Sequence, residues 1–434
     1  MARLKRQVTL WEAVMYGLCV IVGAGIYALV GVAAGEAGNG VWLSFLFAAL
    51  IAGCTGLSYA ELSSKMPHDA AEFEYTERAF RSRRLAFGIT WLKMAGAIIA
   101  MATVSLGFAG YFSKLFGLPP LFGALLIVGL STLLNALGAK NTMRASAFFV
   151  AITITGLLVV VLSGIPRTGS VDYFDLSFGW GGVFSAAALI FFAFLGFENI
   201  ADLGEEIKNP RKMLPLALLL SILISTVIYV AVSFISISVV PWQELAASAS
   251  PLSLVAEATL GGYGSILLTI IALFATGSTI FGIMFAYSRL LFGMAEDHCL
   301  PKSFMRLSRK GVPYISVLTI GAVTGLMVLV QDIRFVAMVA DFSALFVFMA
   351  INVALIALRY EKDHLHGEFN VPLNIGRFPV LPALGAVFCL FMLTKLGALQ
   401  AVLSLLALLA GILVYMFGFE KKVCKTRISS YRQP

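Results

Sequence analysis

Apolar runs about as long as a bilayer is thick recur along nearly the whole chain, and no other feature limits its fold so strongly. A helix needs about 20 apolar residues to cross the hydrocarbon core. Twelve segments meet that requirement, near residues 12–33, 41–63, 87–113, 120–138, 146–165, 181–203, 213–240, 264–293, 314–331, 335–358, 379–396 and 399–418. The expectation is an all-α membrane protein of about twelve transmembrane helices. Only 12% of the 434 residues are charged, against about 25% in soluble domains. No polar stretch is long enough to fold separately, so residues 1–434 are read as one integral membrane domain.

An even number of crossings puts both termini on one side of the membrane. Of the 31 Lys and Arg residues, 27 fall in the N-terminus, alternate loops and the C-terminal tail, counting Lys93 near the inner end of span three. The other side keeps only Lys114, Arg167, Arg334 and Lys395. Cytoplasmic loops carry the Lys/Arg excess, so both termini are expected in the cytoplasm and the chain in the cytoplasmic (inner) membrane. The net charge of +8 then reads as topology and not as a nucleic-acid patch. The expected contacts are a lipid bilayer and a small-molecule substrate. Arg3, Lys5 and Arg6 precede an apolar run over about 10–34 that is too long for a signal-peptide core, so it reads as a retained first span. The loop 65–86 reads as a short amphipathic helix on the inner surface. Phe73, Tyr75, Ala79 and Phe80 would face apolar material while Arg78, Arg81, Arg83 and Arg84 reach headgroups. Lys93 is expected to snorkel to the inner headgroups. Cys19, Cys54, Cys299, Cys389 and Cys424 form no CxxC pair, and His68, His298, His364 and His366 lie in loops. No metal or thiol-redox constellation can be assembled from them.

Two spans contain glycine-centred interruptions. Span one reads Ile21-Val22-Gly23-Ala24-Gly25-Ile26-Tyr27, and span six reads Phe191-Phe192-Ala193-Phe194-Leu195-Gly196-Phe197-Glu198-Asn199. They stand five spans apart, and matched interruptions in two halves of a membrane protein point to a central site. A helix broken at bilayer depth frees N–H and C=O groups that lipid cannot satisfy, so they must line a cavity. The N-terminus of the resumed half favours an anion. The freed carbonyls and the C-terminal end of the other half suit an ammonium or Na⁺. One zwitterion meets both demands. The same glycines also admit a simpler explanation, close helix packing of the GxxxG kind. An acid at helix centre costs about 2.5–3.5 kcal/mol on insertion scales, which singles out Glu198. Its candidate roles are proton carrier, gate hydrogen bond, cation ligand, or a protonated acid bonded to a neighbouring helix. Asp341 is a second proton or cation candidate, and Asp202 lies one turn beyond Glu198 towards the inner interface.

Several stretches in order carry a resemblance. They are Leu10-Trp11-Glu12-Ala13 with Gly23-Ala24-Gly25-Ile26, Ala37-Gly38 leading to Val41-Trp42-Leu43-Ser44-Phe45, and Leu57-Ser58-Tyr59-Ala60-Glu61-Leu62 with Pro67. The most specific are Gly196-Phe197-Glu198 followed by Glu205-Glu206-Ile207-Lys208-Asn209-Pro210-Arg211-Lys212 and Pro215. Ser288-Arg289, Met294-Ala295, Asp297 and Leu300-Pro301 complete the set. Over nearly its whole length the sequence resembles the amino acid–polyamine–organocation (APC) transporter superfamily. The resemblance implies a five-plus-five inverted-repeat, LeuT-like core (repeats over about 10–165 and 181–358) with two extra helices over about 379–418. It implies alternating access around spans one, three, six, eight and ten. The substrate carboxylate would meet the N–H groups of Ala24 and Gly25 beside Gly23. The amino group would meet the carbonyls of Ile21, Phe192 and Leu195 beside Gly196. Phe192 stands where such proteins place an aromatic gate, or is an ordinary packed phenylalanine. Two departures stand out. Many similar carriers have a span-five lysine in a sodium-like position, whereas this chain has Ala151-Ile152-Thr153-Ile154-Thr155. The usual glycine pair after Pro67 is replaced by Asp69-Ala70-Ala71-Glu72-Phe73. A sodium ion near span one could draw on Thr276, Ser278 and Thr279, unless those hydroxyls only bond their own helix.

The leading expectation is a secondary amino acid transporter, not an enzyme, with no resident cofactor and H⁺ or Na⁺ as candidate coupling ions. Exchange, amine or polyamine transport, and nutrient sensing on a transporter fold are the alternatives. No GxxxxGK[ST] nucleotide-binding pattern occurs. A channel would need a continuous polar lining or filter motif, and an intramembrane enzyme paired catalytic groups at bilayer depth; neither pattern is present. Nothing in the sequence specifies an oligomeric state.

Overall fold

The first helix begins where the sequence supplies a cap. Thr9 accepts from the Glu12 N–H at 3.4 Å, and the Thr9 N–H donates to the Glu12 carboxylate at 2.8 Å, a reciprocal capping box. In the structure, a computed structural model, residues 8–23, 25–67, 71–137, 142–204, 206–296, 300–308, 311–361 and 367–419 are described. Ala24 and the four histidines lie outside the described residues, as do Asp69, Ala70 and Glu205.

Span one is two helices, α1 (Leu10–Ile21) and α2 (Gly25–Ala37). Span two is α3 (Val41–Lys65), followed by the loop helix α4 (Ala71–Phe80). Spans three, four and five are α5 (Arg83–Phe116), α6 (Pro120–Leu137) and α7 (Thr142–Gly164). Span six starts as α8 (Gly179–Ile190) and continues as two 3₁₀ segments, Phe191–Phe194 and Phe197–Leu203. Span seven is α9 (Pro210–Val239), and the short α10 (Trp242–Ala247) follows. Spans eight to twelve are α11 (Pro251–Glu296), α12 (Tyr314–Val328), α13 (Ile333–Arg359), α14 (Val380–Leu393) and α15 (Ala398–Phe419). Among the described residues nine helical stretches are long and apolar enough to cross a membrane, and three shorter apolar helices accompany them. The chain is an all-α, multi-span membrane protein.

The packing is patterned. α3 lies along α9; α1 packs on α9 as α8 packs on α3. α5 meets α13 as α11 meets α7, and α5 meets α6 as α11 meets α12. Each pairing recurs when every span is exchanged for the one five further on, while α14 and α15 cover α13 and α5 from outside that scheme. At the end bearing the lysine- and arginine-rich loops, here the basic end, Val8 forms a parallel bridge with Ile207. The Val8 N–H donates to the Glu206 carbonyl at 3.0 Å and the Lys208 N–H to the Val8 carbonyl at 2.9 Å.

Two elements differ from the sequence reading. α11 runs back to Pro251, thirteen residues before the expected span, because a separate outer helix joins it through Gly261 at φ 73°. α4 forms within the 65–86 loop but is docked on protein. It packs against α5 and α13 and buries Ala71, Glu72, Tyr75 and Thr76. Arg78 of α4 and Arg81 just beyond it pair with Glu361 at 3.8 and 3.0 Å, and Arg83 at the start of α5 pairs with Glu77 at 2.6 Å.

Candidate functional site

α-Helical geometry in span one stops at Ile21 and resumes at Gly25. Gly25 has no room for a side chain, because a Cβ there would overlap the Ala193 Cα of span six. In span six, Leu195 is extended and Gly196 adopts φ +114°, a conformation L side chains rarely take. A Cβ on Gly196 would also strike Val20 of span one. The two interruptions therefore lie back to back, each fitted to the other through a missing side chain.

One hydroxyl ties them together. Tyr229 of α9, fully buried, reaches the Ile21 carbonyl at 2.6 Å and the Ala193 carbonyl at 2.9 Å. Tyr111 donates to the Tyr27 carbonyl at 2.9 Å, and Tyr27 donates to the Thr153 carbonyl of span five at 2.9 Å. The Ile21 carbonyl freed by the first break is thus satisfied by a tyrosine from another span, as burial requires. The Phe192 carbonyl accepts from the Leu195 N–H at 3.2 Å. Each carbonyl has a second lone pair, so these bonds leave an acceptor position at Ile21 and Phe192.

A cavity opens beside the breaks, with about 680 Å³ of empty space including its mouth. Ile21, Gly25, Phe192, Leu195, Gly196, Glu198 and Thr279 all line it. Its middle is walled by Ala97, Ala100, Val104, Ala340, Ala344 and Val347, all small or aliphatic. The first turn of a helix leaves N–H groups without intrahelical acceptors, and α2 starts at this wall with Gly25. The basic end of the cavity is polar, with Lys93, Glu198, Asn199 and Tyr287. The Glu198 carboxylate accepts the Gly196 N–H at 2.8 Å, so this acid caps the break next to it. Phe197 packs against Phe348 and Tyr59 at ring-centroid separations of 5.1 and 5.8 Å. That aromatic wedge holds the inner half of span six against α3 and α13.

Lys93 departs from the snorkelling expectation. Its side chain is only 9% exposed, with Nζ 2.7 Å from Glu72 Oε1 and 3.2 Å from Asp202 Oδ2. Tyr59 also donates to Glu72 at 2.9 Å, and the Ala71 N–H to Asp202 at 3.1 Å. Buried Glu72 and the partly exposed Asp202 hold the ammonium there in place of headgroups. α4, span three and span six thereby meet at one charge cluster below the cavity.

The remaining sequence candidates, Thr279 apart, fall elsewhere. Gly23 and Ser278 line a second, narrower space with Leu18, Val22, Val150 and Thr153. Thr279 sits close over Gly23, where a Cβ would overlap its hydroxyl. Thr276, Ser278 and Thr279 each donate to a carbonyl of their own helix, at 2.7, 3.0 and 2.9 Å. Asp341 is fully buried, lines neither space, and neither carboxylate oxygen meets a hydrogen-bond partner among the described residues. Among those residues no three His, Cys, Asp or Glu side chains group to hold a metal. Tyr229 and the pairing of Lys93 with Glu72 and Asp202 were not legible as site features. A tyrosine in an apolar span has no local signature, and each pairing joins residues far apart in sequence.

Two interrupted, mutually packed spans line one cavity within a multi-span membrane protein. Residues 8–417 match the amino acid permease family. The chain belongs to that family, and through it to the APC superfamily. It is 31% identical over 408 residues to the branched-chain amino acid permease BcaP of Bacillus subtilis, covering 88% of this chain and 86% of the relative. It is 26% identical over 410 residues to a methylthioribose transporter of the same species, covering 88% and 86%. It is 28% identical over 390 residues to the human cationic amino acid transporter 4, covering 83% of this chain and 61% of that protein. The names of the family and of these relatives are those of transporters and not of enzymes.

Proposed function

We propose that this chain is a secondary carrier for neutral aliphatic amino acids in the cytoplasmic membrane, with both termini in the cytoplasm. The observation that carries the reading is the pair of helix interruptions facing one cavity. Gly25 at the start of α2 would present N–H groups to the carboxylate, with Ala24 beside it. Ile21, Phe192 and Leu195 would present carbonyls to the ammonium. The wall of Ala97, Ala100, Val104, Ala340, Ala344 and Val347 suits an apolar side chain, in keeping with the branched-chain permease among the relatives. Transport would proceed by alternating access, with two five-span repeats, over about 10–165 and 181–358, moving around the cavity.

For coupling, Glu198 is the favoured proton group, since it both lines the cavity and holds the span-six break. Asp341 is a second candidate because it is buried without a hydrogen-bond partner among the described residues. Thr279 and Ser278 beside Gly23 would serve a sodium ion. Counterflow uptake in proteoliposomes, run over a panel of amino acids and amines with pH and Na⁺ gradients imposed separately, tests the reading. Leucine, isoleucine and valine should exchange, and the gradient that accelerates uptake names the ion. Binding without flux would instead assign a receptor. Glu198→Gln should flatten or displace the pH profile of uptake; an unaltered profile would move the proton's place to another group.

A further inference from the structure

The cavity ends in a charge cluster whose composition bears on which side chains can enter. Among the described residues Lys93 is the single cation beside Glu72, Asp202 and Glu198, and it lines the cavity together with Glu198. Its ammonium is held by carboxylates from two different elements, Glu72 on α4 and Asp202 at the end of span six. Glu72 is 2% exposed and receives a second bond from Tyr59. The cluster is therefore a preformed cation site, and the protein fills it with a lysine of its own.

We propose that Lys93 is the specificity-determining residue for side-chain charge, acting as a built-in occupant that bars cationic substrates. The inference rests on the amino acid carrier reading above. The breaks, the apolar wall at Ala97 and Ile283, and Lys93 line one cavity, so an amino acid anchored at the breaks would extend its side chain along that wall towards Lys93. A neutral aliphatic side chain resting on the wall would leave the cluster undisturbed. A lysine or arginine side chain would bring a second cation against Lys93, whose partners are already committed. A glutamate side chain would approach Glu198 and Asp202. Like charges at close range in a poorly hydrated site repel strongly, and specificity commonly uses such a repulsive element.

Removing the occupant should invert the preference. In Lys93→Ala, Glu72 and Asp202 lose their cation while the space of the lysine stem becomes free. A buried charge left without its partner is strongly unfavourable, and a ligand ammonium or guanidinium reaching that space would restore the pairing. The discriminating experiment is leucine counterflow in proteoliposomes with arginine and lysine as competitors. Wild-type protein should resist both. Lys93→Ala should be inhibited by arginine at a concentration lower by about tenfold or more, equivalent to one decade of affinity. Adding Glu72→Gln and Asp202→Asn to Lys93→Ala should abolish that gain. Unchanged arginine competition in Lys93→Ala overturns the proposal, read by counterflow or, where the variant binds leucine without moving it, by displacement of bound leucine. If Lys93→Ala fails to reach the membrane, the reciprocal variant decides. Glu72→Gln/Asp202→Asn with Lys93 intact leaves an unmatched cation and should admit glutamate as a competitor, and indifference to glutamate overturns the proposal. Failure of wild-type protein to exchange any amino acid is a different result, and it sinks the carrier reading itself.

Discussion

At the scale of single residues, the fit between the two breaks rests on what is missing as much as on what is present. Gly25 and Gly196 are required because Ala193 and Val20 occupy the space a Cβ would take, and Gly196 also needs its positive φ. Those glycines stood out in the sequence because lipid makes a mid-span glycine cluster conspicuous. Tyr229 did not, since 208 residues separate it from Ile21 and 36 from Ala193. No spacing rule connects them. Its hydroxyl is the group that both broken strands share. Tyr229→Phe should remove the one hydroxyl proton that two buried carbonyls share, at about 1–3 kcal/mol. The expected outcome is a lower thermal midpoint in detergent together with weaker leucine binding, while the protein still inserts. A midpoint and affinity equal to wild type would mean that the bridge contributes nothing.

At the scale of elements, the span positions were readable because the bilayer demands contiguous apolar length. What lies between spans was less so. The loop helix α4 has the composition of a headgroup-bound segment, but its docking depends on Lys93, 21 residues beyond Glu72. Further stapling joins the basic ends of α3 and α13. Glu61 accepts from Arg359 Nε at 2.9 Å, with a second bond to the same guanidinium, and also from Lys65 at 2.5 Å and the Val371 N–H at 2.7 Å. The Glu61 side chain has no solvent exposure and that of Arg359 only 11%. A paired, bidentate buried carboxylate tolerates loss of its partner poorly, at about 3–5 kcal/mol. Because Lys65 and the Val371 N–H still hold Glu61, Arg359→Met should lower stability by less than that full cost in a denaturation series, and Glu61→Gln/Arg359→Met should cost less than the two single changes added. Strict additivity would show that the ends of spans two and ten are not held by this pair.

At the scale of the whole molecule, the cavity has a tie on each side. Towards the basic end stands the cluster of Lys93, Glu72 and Asp202. At the other end, Arg334 at the start of α13 pairs with Glu36 at the end of α2, and Ser185 of α8 bonds the same carboxylate. A carrier that opens alternately must break these ties in turn. Arg334→Ala should raise labelling of an Ala344→Cys reporter by a membrane-impermeant thiol reagent from the outside, in a background with Cys19, Cys54, Cys299, Cys389 and Cys424 replaced. Labelling that does not change would show that this pair does not restrain the outer side. The repeat-related packing of the spans is visible only here, because it concerns which helices touch and not what any one of them contains.

The short bridge between Val8 and Ile207 has a mechanical consequence. It yokes the segment leading into α1 to the segment leaving span six, so the inner halves of the two broken spans share one tow-bar. Pulling either would drag the other. The protein would then have a single inner door with two leaves, and a fusion or truncation that unhooks Val8 would let the leaves swing out of step.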